Sequence, residues 1–280
     1  MEWLSLPMKN NQLFKRSLLQ CKHDQRVLID SELKNEEYVD SFGFEWTEID
    51  GFVGKESMSH GHIFGRFFLP KSFFADKRIV DVGCGNGRIG RLVAPHSGEY
   101  IGLDLSKAVY AFPSYLECNN VTLVRASGTD LPLSDQVSDV TICWGVLHHM
   151  DDPEKGFREL VRVTKPGGTI LIFIYSNGYK GRENLNKFSK NIEENEKFKL
   201  IEEVSDELDS WREVDSFYAD QISKNLFMSV KKSREWQIFQ WFDGITPQFH
   251  WSFQDKLEEI LNTMNFKFRK TQDGCYRIVI

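Results

Sequence analysis

Residues 79–90, Ile-Val-Asp-Val-Gly-Cys-Gly-Asn-Gly-Arg-Ile-Gly, constrain this chain more than any other stretch. A short apolar run meets three alternating glycines, Gly83, Gly85 and Gly87. Glycine takes positive φ at no steric cost and leaves the backbone open to a ligand. The pattern predicts a buried strand, a turn too tight for side chains and a helix behind it, an arrangement able to cradle a nucleotide-sized molecule. The spacing also argues against two such ligands. Position 88 is Arg, so the dinucleotide pattern G-x-G-x-x-G fails, and no Lys-Ser/Thr pair follows as a triphosphate loop requires.

Around this turn, short β-branched runs alternate with helical patterns from about residue 78 to 175. Strands are expected at Arg78 to Val82, Tyr100 to Leu103, Val121 to Arg125, Asp139 to Cys143 and Thr169 to Tyr175. Asp152 can cap a helix that begins at Pro153, and Lys165-Pro166-Gly167-Gly168 can stop it. Near the end, Ser252-Phe253-Gln254-Asp255 opens an amphipathic stretch with Leu257, Ile260, Leu261 and Met264 on one face. Strand-like runs at 266–271 and 276–280 flank Gln272-Asp273-Gly274, a hairpin signal. The fold class expected is α/β: a Rossmann-like, doubly wound, mostly parallel seven-stranded sheet with a C-terminal antiparallel hairpin, plus a helical cap. The core takes residues 76–176 and 251–280. Residues 1–75 read as an N-terminal helical and aromatic cap segment. A helical cap insertion is expected over 177–250, where Ile201, Val204, Leu208 and Trp211, then Ile222, Leu226 and Val230, recur at helical spacing.

Composition narrows the function. Among 280 residues, 35 Lys+Arg against 41 Asp+Glu give a net charge of −6, which lacks the positive field that binding to a phosphate backbone needs. Nucleic acid is therefore not an expected partner, and neither is a membrane: the longest apolar run, Ile170 to Ile174, is far short of a bilayer span. The start Met1-Glu2-Trp3 lacks signal-peptide layout, so a cytoplasmic protein is expected. Five scattered cysteines (Cys21, Cys84, Cys118, Cys143, Cys275) with no C-x-x-C pair read as free thiols, not a disulfide framework or zinc site. The 22 Phe and 7 Trp exceed what a routine core needs.

A second acidic element accompanies the glycine turn. Asp104 ends the second strand in Ile101-Gly102-Leu103-Asp104-Leu105-Ser106, where a carboxylate can accept ribose hydroxyls. Two further motifs follow in order: Ala126-Ser127-Gly128-Thr129-Asp130-Leu131-Pro132-Leu133, then Val146-Leu147-His148-His149-Met150-Asp151-Asp152-Pro153 leading to Leu160-Val161-Arg162-Val163-Thr164-Lys165-Pro166-Gly167-Gly168. With these four motifs the chain resembles the class I S-adenosylmethionine-dependent methyltransferases, in their small-molecule, methyltransferase type 11-like group. The resemblance covers about residues 78–175 and resumes weakly in the last helix and hairpin.

That resemblance implies S-adenosyl-L-methionine as cofactor, S-adenosyl-L-homocysteine as product, and a small-molecule acceptor, possible sugars or secondary metabolites included. It implies that Asp81 and the backbone of Gly83, Cys84, Gly85, Asn86 and Gly87 face the methionine portion. Asp104 would hold the ribose, Leu105 would lie against the adenine face, Ser127 and Gly128 would border the adenine, and Trp144 and Gly145 would meet the methionine amino group. Relatives commonly carry Asp where this chain has Ser127.

Methyl transfer needs a base only when the acceptor is protonated. His148 and His149 are the catalytic candidates, since neutral imidazole accepts a proton near pH 7 and both leave the ligand-binding edge of the sheet. Packing and backbone bonding are the alternative role for the pair, His149 being the nearer to a substrate role. No metal is expected: adjacent histidines, and His60-Gly61-His62, lack a third ligand at recognisable spacing. The aromatic stretches Ser41 to Trp46 and Trp241 to Pro247 resemble flanks of one subset of these enzymes and suit either an enclosed acceptor pocket or a plain core. Tyr175 and Asp243 are further site candidates. The function expected is methyl transfer to an O, N or C nucleophile; a non-methylating use of the cofactor and a non-catalytic partner subunit are the alternatives, and a homodimer stays open.

Overall fold

The computed structural model describes residues 4–5, 13–21, 26–33, 64–112, 118–174, 253–272 and 274–280. Five strands come from the central run: β4 (Arg78–Val82), β5 (Glu99–Asp104), β6 (Val121–Arg125), β7 (Ser138–Trp144) and β8 (Thr164–Phe173). They lie in the order β6-β5-β4-β7-β8, all parallel. The terminal hairpin, β9 (Lys267–Gln272) and β10 (Cys275–Val279), enters antiparallel through β10 against β8. These seven strands are the sheet expected from the sequence. Because successive strands are parallel, the loops leaving β4, β5, β6, β7 and β8 all emerge at one edge, where such folds bind ligands.

Each central strand is apolar on both faces, as a sheet covered on two sides requires. In β4, Val80 and Val82 join a core with Phe157, Leu160 and Val163 of α2 (Pro153–Val163) and Phe253, Leu257 and Leu261 of α3 (Phe253–Thr263). Ile79 points to the opposite layer, with Phe64, Phe67, Phe74, Tyr100 and Phe112. Part of the aromatic surplus is thus a second core. The Asp152 cap is present, its Oδ1 accepting from Lys155 N–H at 2.9 Å. The helix behind the glycine turn is short, α1 (Gly90–Val93), and passes into a 3-10 turn, Ala94–His96.

Three features depart from the expected layout. First, β8 begins at Thr164, not Thr169: Thr164 pairs with Ser138, and the ladder resumes at Thr169 opposite Val140. Gly167 at φ +79° lets Lys165 to Gly168 bulge out, so the helix stop is also the first part of the strand. Second, the N-terminal segment is not wholly a cap. Leu18–Gln20 (β2) and Val27–Asp30 (β3), with Leu4–Ser5 (β1), extend the main sheet to ten strands. β3 runs parallel to β6, and its apolar run Val27-Leu28-Ile29 covers an edge that would otherwise offer unpaired backbone groups. Third, residues 177–250 lie outside the described residues, as do Ser252 of the expected capping box and Asp273 of the hairpin turn.

Arg16 fastens this N-terminal extension to the core. Its guanidinium donates to both carboxylate oxygens of Asp30, to Asp130 Oδ2 at 2.7 Å and to the Asp130 carbonyl at 2.6 Å. Burial works against the charge, but the hydrogen bonds to Asp30 and Asp130 prevail and hold the guanidinium above its ordinary pKa. Arg16→Ala leaves the Asp30 side chain, 1% exposed, without its cation. A loss of about 3 kcal/mol is expected in denaturant unfolding; a loss below ~1 kcal/mol would show that the extension contributes little.

Candidate cofactor and active site

The turn after β4 is held from below. Gly83 and Cys84 N–H both donate to the Leu103 carbonyl, at 2.7 and 3.0 Å, and Gly87 N–H to the Cys84 carbonyl at 3.0 Å. Gly85 N–H donates to Asp104 Oδ2 at 2.7 Å. Gly83, Gly85 and Gly87 all have positive φ (+79°, +53° and +86°), so the turn requires the alternating glycines. Four of its amides are spent inside the chain. The turn is therefore not a nest for a phosphate; it offers bare backbone beside two carboxylates.

Asp104 is half-buried at the end of β5. Its Oδ1 accepts from Ser106 N–H at 2.8 Å and Ser106 Oγ at 2.6 Å. A carboxylate has about four acceptor sites, and with Gly85 three are taken, so one remains on the Oδ2 side for a hydroxyl. Burial raises the Asp104 carboxyl above its usual range, opposed by the Ser106 and Gly85 hydrogen bonds and the charge of Arg125. Arg125 Nε also holds the Leu105 carbonyl at 2.9 Å.

Asp81 lies deeper. It is fully buried in β4, takes a hydrogen bond from Tyr100 Oη at 2.5 Å, and keeps Oδ1 without a hydrogen-bond partner. Burial chiefly, then the charge of Asp104, pushes its carboxyl up to about 7 against the Tyr100 hydrogen bond. The Tyr100 phenol is itself pushed up by burial and by Asp81, so it stays a donor. A carboxyl whose native pKa stands above its unfolded value of 3.8 holds its proton more tightly when folded. Its contribution to stability is present at low pH and is lost as pH rises toward about 7. The unfolding free energy of the wild type minus that of Asp81→Asn should therefore fall between about pH 4 and pH 7 and level off above that. A flat difference in denaturant titrations would mean that Asp81 is ionised throughout.

The remaining expected residues converge on the same edge. Ser127 and Gly128 follow β6, and Gly128 has no room for a side chain: a Cβ there would stand 2.5 Å from Met150 Cε and 3.1 Å from Val82 Cγ1. Ser127 Oγ is engaged locally, 3.0 Å from Thr129 Oγ1 and accepting from Thr129 N–H. Trp144 ends β7 with its ring 4.7 Å from that of Phe173, and Gly145, at φ +70°, is tied to the Phe173 carbonyl at 2.8 Å. Asn86 and Cys84 are buried. His148 and His149 form a 3-10 turn with Leu147, their rings 4.3 Å apart; His148 is fully buried and His149 half-buried. His60, His62, Tyr175, Asp243 and the two aromatic flanks lie outside the described residues.

Residues 80–172 match the family model of the methyltransferase domain. That match agrees with the class I S-adenosylmethionine-dependent methyltransferase resemblance of the sequence motifs. The parallel strands of this segment and the antiparallel hairpin beside them are those expected from the sequence. The chain is 30% identical over 102 residues to the uncharacterized methyltransferase YcgJ of Bacillus subtilis (strain 168), covering 35% of this chain and 40% of that protein. It is 35% identical over 105 residues to a demethylmenaquinone methyltransferase of Clavibacter sepedonicus, covering 36% and 42%. A tRNA (carboxymethyluridine(34)-5-O)-methyltransferase of Arabidopsis thaliana is 37% identical over 101 residues, covering 35% and 24%. The chain thus spans about two fifths of the length of the first two relatives and about a quarter of the third.

The residues of the methyltransferase domain suit its cofactor, S-adenosylmethionine. A sulfonium, an ammonium and a ribose are cation and hydroxyl donors, and the site presents acceptors: the open side of Asp104 and the unmatched Oδ1 of buried Asp81. Tyr100 and Phe112, which shape the floor, were not singled out from sequence. Both read there as ordinary core aromatics, and only packing shows Phe112 filling the space that Gly87 and Gly90 leave.

Proposed function

We propose that this protein transfers a methyl group from S-adenosylmethionine to an O, N or C nucleophile of a small organic acceptor. The observation that supports it most is the convergence of the Gly83 to Gly87 turn, Asp104, Ser127-Gly128 and Trp144-Gly145 at one sheet edge within a methyltransferase domain. The bound cofactor supplies an activated methyl group on a cationic sulfur. Asp104 holds a ribose hydroxyl on its free lone pair, and the glycine turn lets backbone approach the amino-acid portion. Trp144 and Phe173 form an aromatic wall that excludes water from the transfer end. The rest of the catalytic gain is positioning of the nucleophile about 3 Å from the methyl carbon.

His149 is the proton acceptor in this reading, through Nε2, because the residue is half-buried where His148 is fully buried and its own Nδ1 is buried. The His148 ring packs against it, 4.3 Å away. Calorimetric titration with S-adenosylmethionine and S-adenosylhomocysteine, with NADH as control, tests the cofactor: binding of the sulfur nucleotides alone is expected, and NADH binding instead would sink the reading. Labelled-methyl transfer into pooled small-molecule fractions tests the acceptor class. His149→Ala should lower turnover about tenfold or more while S-adenosylhomocysteine affinity is kept; an unaltered rate would assign His149 to packing.

A further inference from the structure

The two acidic groups of the site, Asp81 and Asp104, belong to β4 and β5. At the other end of the same edge stands a cation. Arg66, in the 3-10 turn Gly65–Phe67, lies with its guanidinium carbon 5.5 Å from the Phe173 ring centroid and 6.0 Å from that of Trp144. These two rings end β8 and β7 and lie against each other, and the Phe67 ring meets Trp144 edge-on at 5.7 Å. Arg66 is half-buried, and among the described residues it forms no ion pair or hydrogen bond. A guanidinium this near two aromatic rings is held by cation–π attraction, which uses none of its N–H donors in a hydrogen bond. Those donors form a planar fork suited to a carboxylate or phosphate.

Position separates this cation from the ribose end of the cofactor. Neighbouring strands stand about 4.8 Å apart, so the step from β5 across β4 and β7 to β8 is roughly 14 Å. With the ribose at Asp104 and the amino-acid portion over the glycine turn, the β7 to β8 end is where an acceptor must approach. We propose that Arg66, on the Trp144 and Phe173 platform, is the anion-recognition residue of the acceptor pocket, and that the acceptor carries a carboxylate or phosphate group. This rests on the methyl-transfer reading above, whose substrate class it narrows.

The test uses the S-adenosylhomocysteine complex of the full chain, titrated calorimetrically with benzoate, with its neutral isostere benzamide, and with inorganic phosphate. Wild-type protein should bind benzoate or phosphate about tenfold or more tightly than benzamide. Arg66→Gln should abolish that preference, Arg66→Lys should restore part of it, and S-adenosylhomocysteine affinity and thermal midpoint should stay near wild type in both. No anion preference in the wild type, or one that survives in Arg66→Gln, overturns the proposal. A second arm compares S-adenosylmethionine with its decarboxylated form. If Arg66→Gln weakens only the carboxylated cofactor, the anion that Arg66 holds is the cofactor's own and the acceptor assignment fails. Failure of the wild type to bind S-adenosylhomocysteine would instead strike the functional reading itself.

Discussion

Gly87→Ala is expected to lower the unfolding free energy by about 2 to 5 kcal/mol and to remove cofactor binding. Two costs add. Gly87 sits at φ +86°, a conformation that costs an L-residue about 1 to 2 kcal/mol. An added Cβ would also stand 2.0 Å from Phe112 Cδ2 and 2.3 Å from Cε2. Phe112 cannot step aside: it is fully buried, its Cζ would stand 2.2 Å from a Cβ at Gly90, and its ring abuts Tyr100 at 5.7 Å. Overpacking of this kind costs about 1 to 3 kcal/mol. Any displacement passes through Tyr100 to its hydrogen bond with Asp81, so the floor of the cofactor site moves with the core. The double variant Gly87→Ala with Phe112→Leu should regain part of the stability, because it relieves the overlap while the φ cost remains. Denaturant midpoints of the three proteins would decide it; a single variant within about 0.5 kcal/mol of wild type would mean that the turn rearranges freely.

Asp104→Ala is expected to weaken S-adenosylhomocysteine binding by about 1.5 to 3 kcal/mol, roughly 10- to 150-fold. The side chain is to be lost in two roles at once: the acceptor for a ribose hydroxyl, and the tie that fixes Gly85 N–H and Ser106. Since only one acceptor site stays open on Asp104, the 2′-deoxy and 3′-deoxy analogues of S-adenosylhomocysteine should differ in affinity for the wild type. They should bind alike to Asp104→Ala. Unchanged affinity of Asp104→Ala for S-adenosylhomocysteine would remove Asp104 from the cofactor site.

Much of this was legible in the sequence because it depends on local pattern. Arg78 to Val82 and Val121 to Arg125 are strands at the boundaries that their β-branched runs imply, and the Asp152-Pro153 start of α2 follows from capping chemistry alone. The positive φ values at Gly83, Gly85 and Gly87 are equally local, since no other residue type makes that turn cheaply. The positions Asp104, Ser127 and Trp144 were readable as strand ends, and parallel topology then carries every strand end to one edge.

What needed the tertiary structure is everything that depends on partners far apart in the chain. Residues 18–20 and 27–30 carry too short and too mixed a pattern to announce strands; they become strands because β6 offers 27–30 an open edge, 18–20 pairs with 27–30, and Arg16 finds Asp30 and Asp130. The protonation tendency of Asp81 follows from burial beneath Tyr100 and proximity to Asp104, neither of which is a property of its neighbours in sequence. Arg66 in isolation is one basic residue among 35 Lys and Arg. Only the meeting of its 3-10 turn with the ends of β7 and β8 places its charge on two aromatic rings at the edge where ligands bind. Backbone conformation is set by near neighbours, and so is written in the sequence; charge environment and access are set by distant ones, and are decided when the sheet closes.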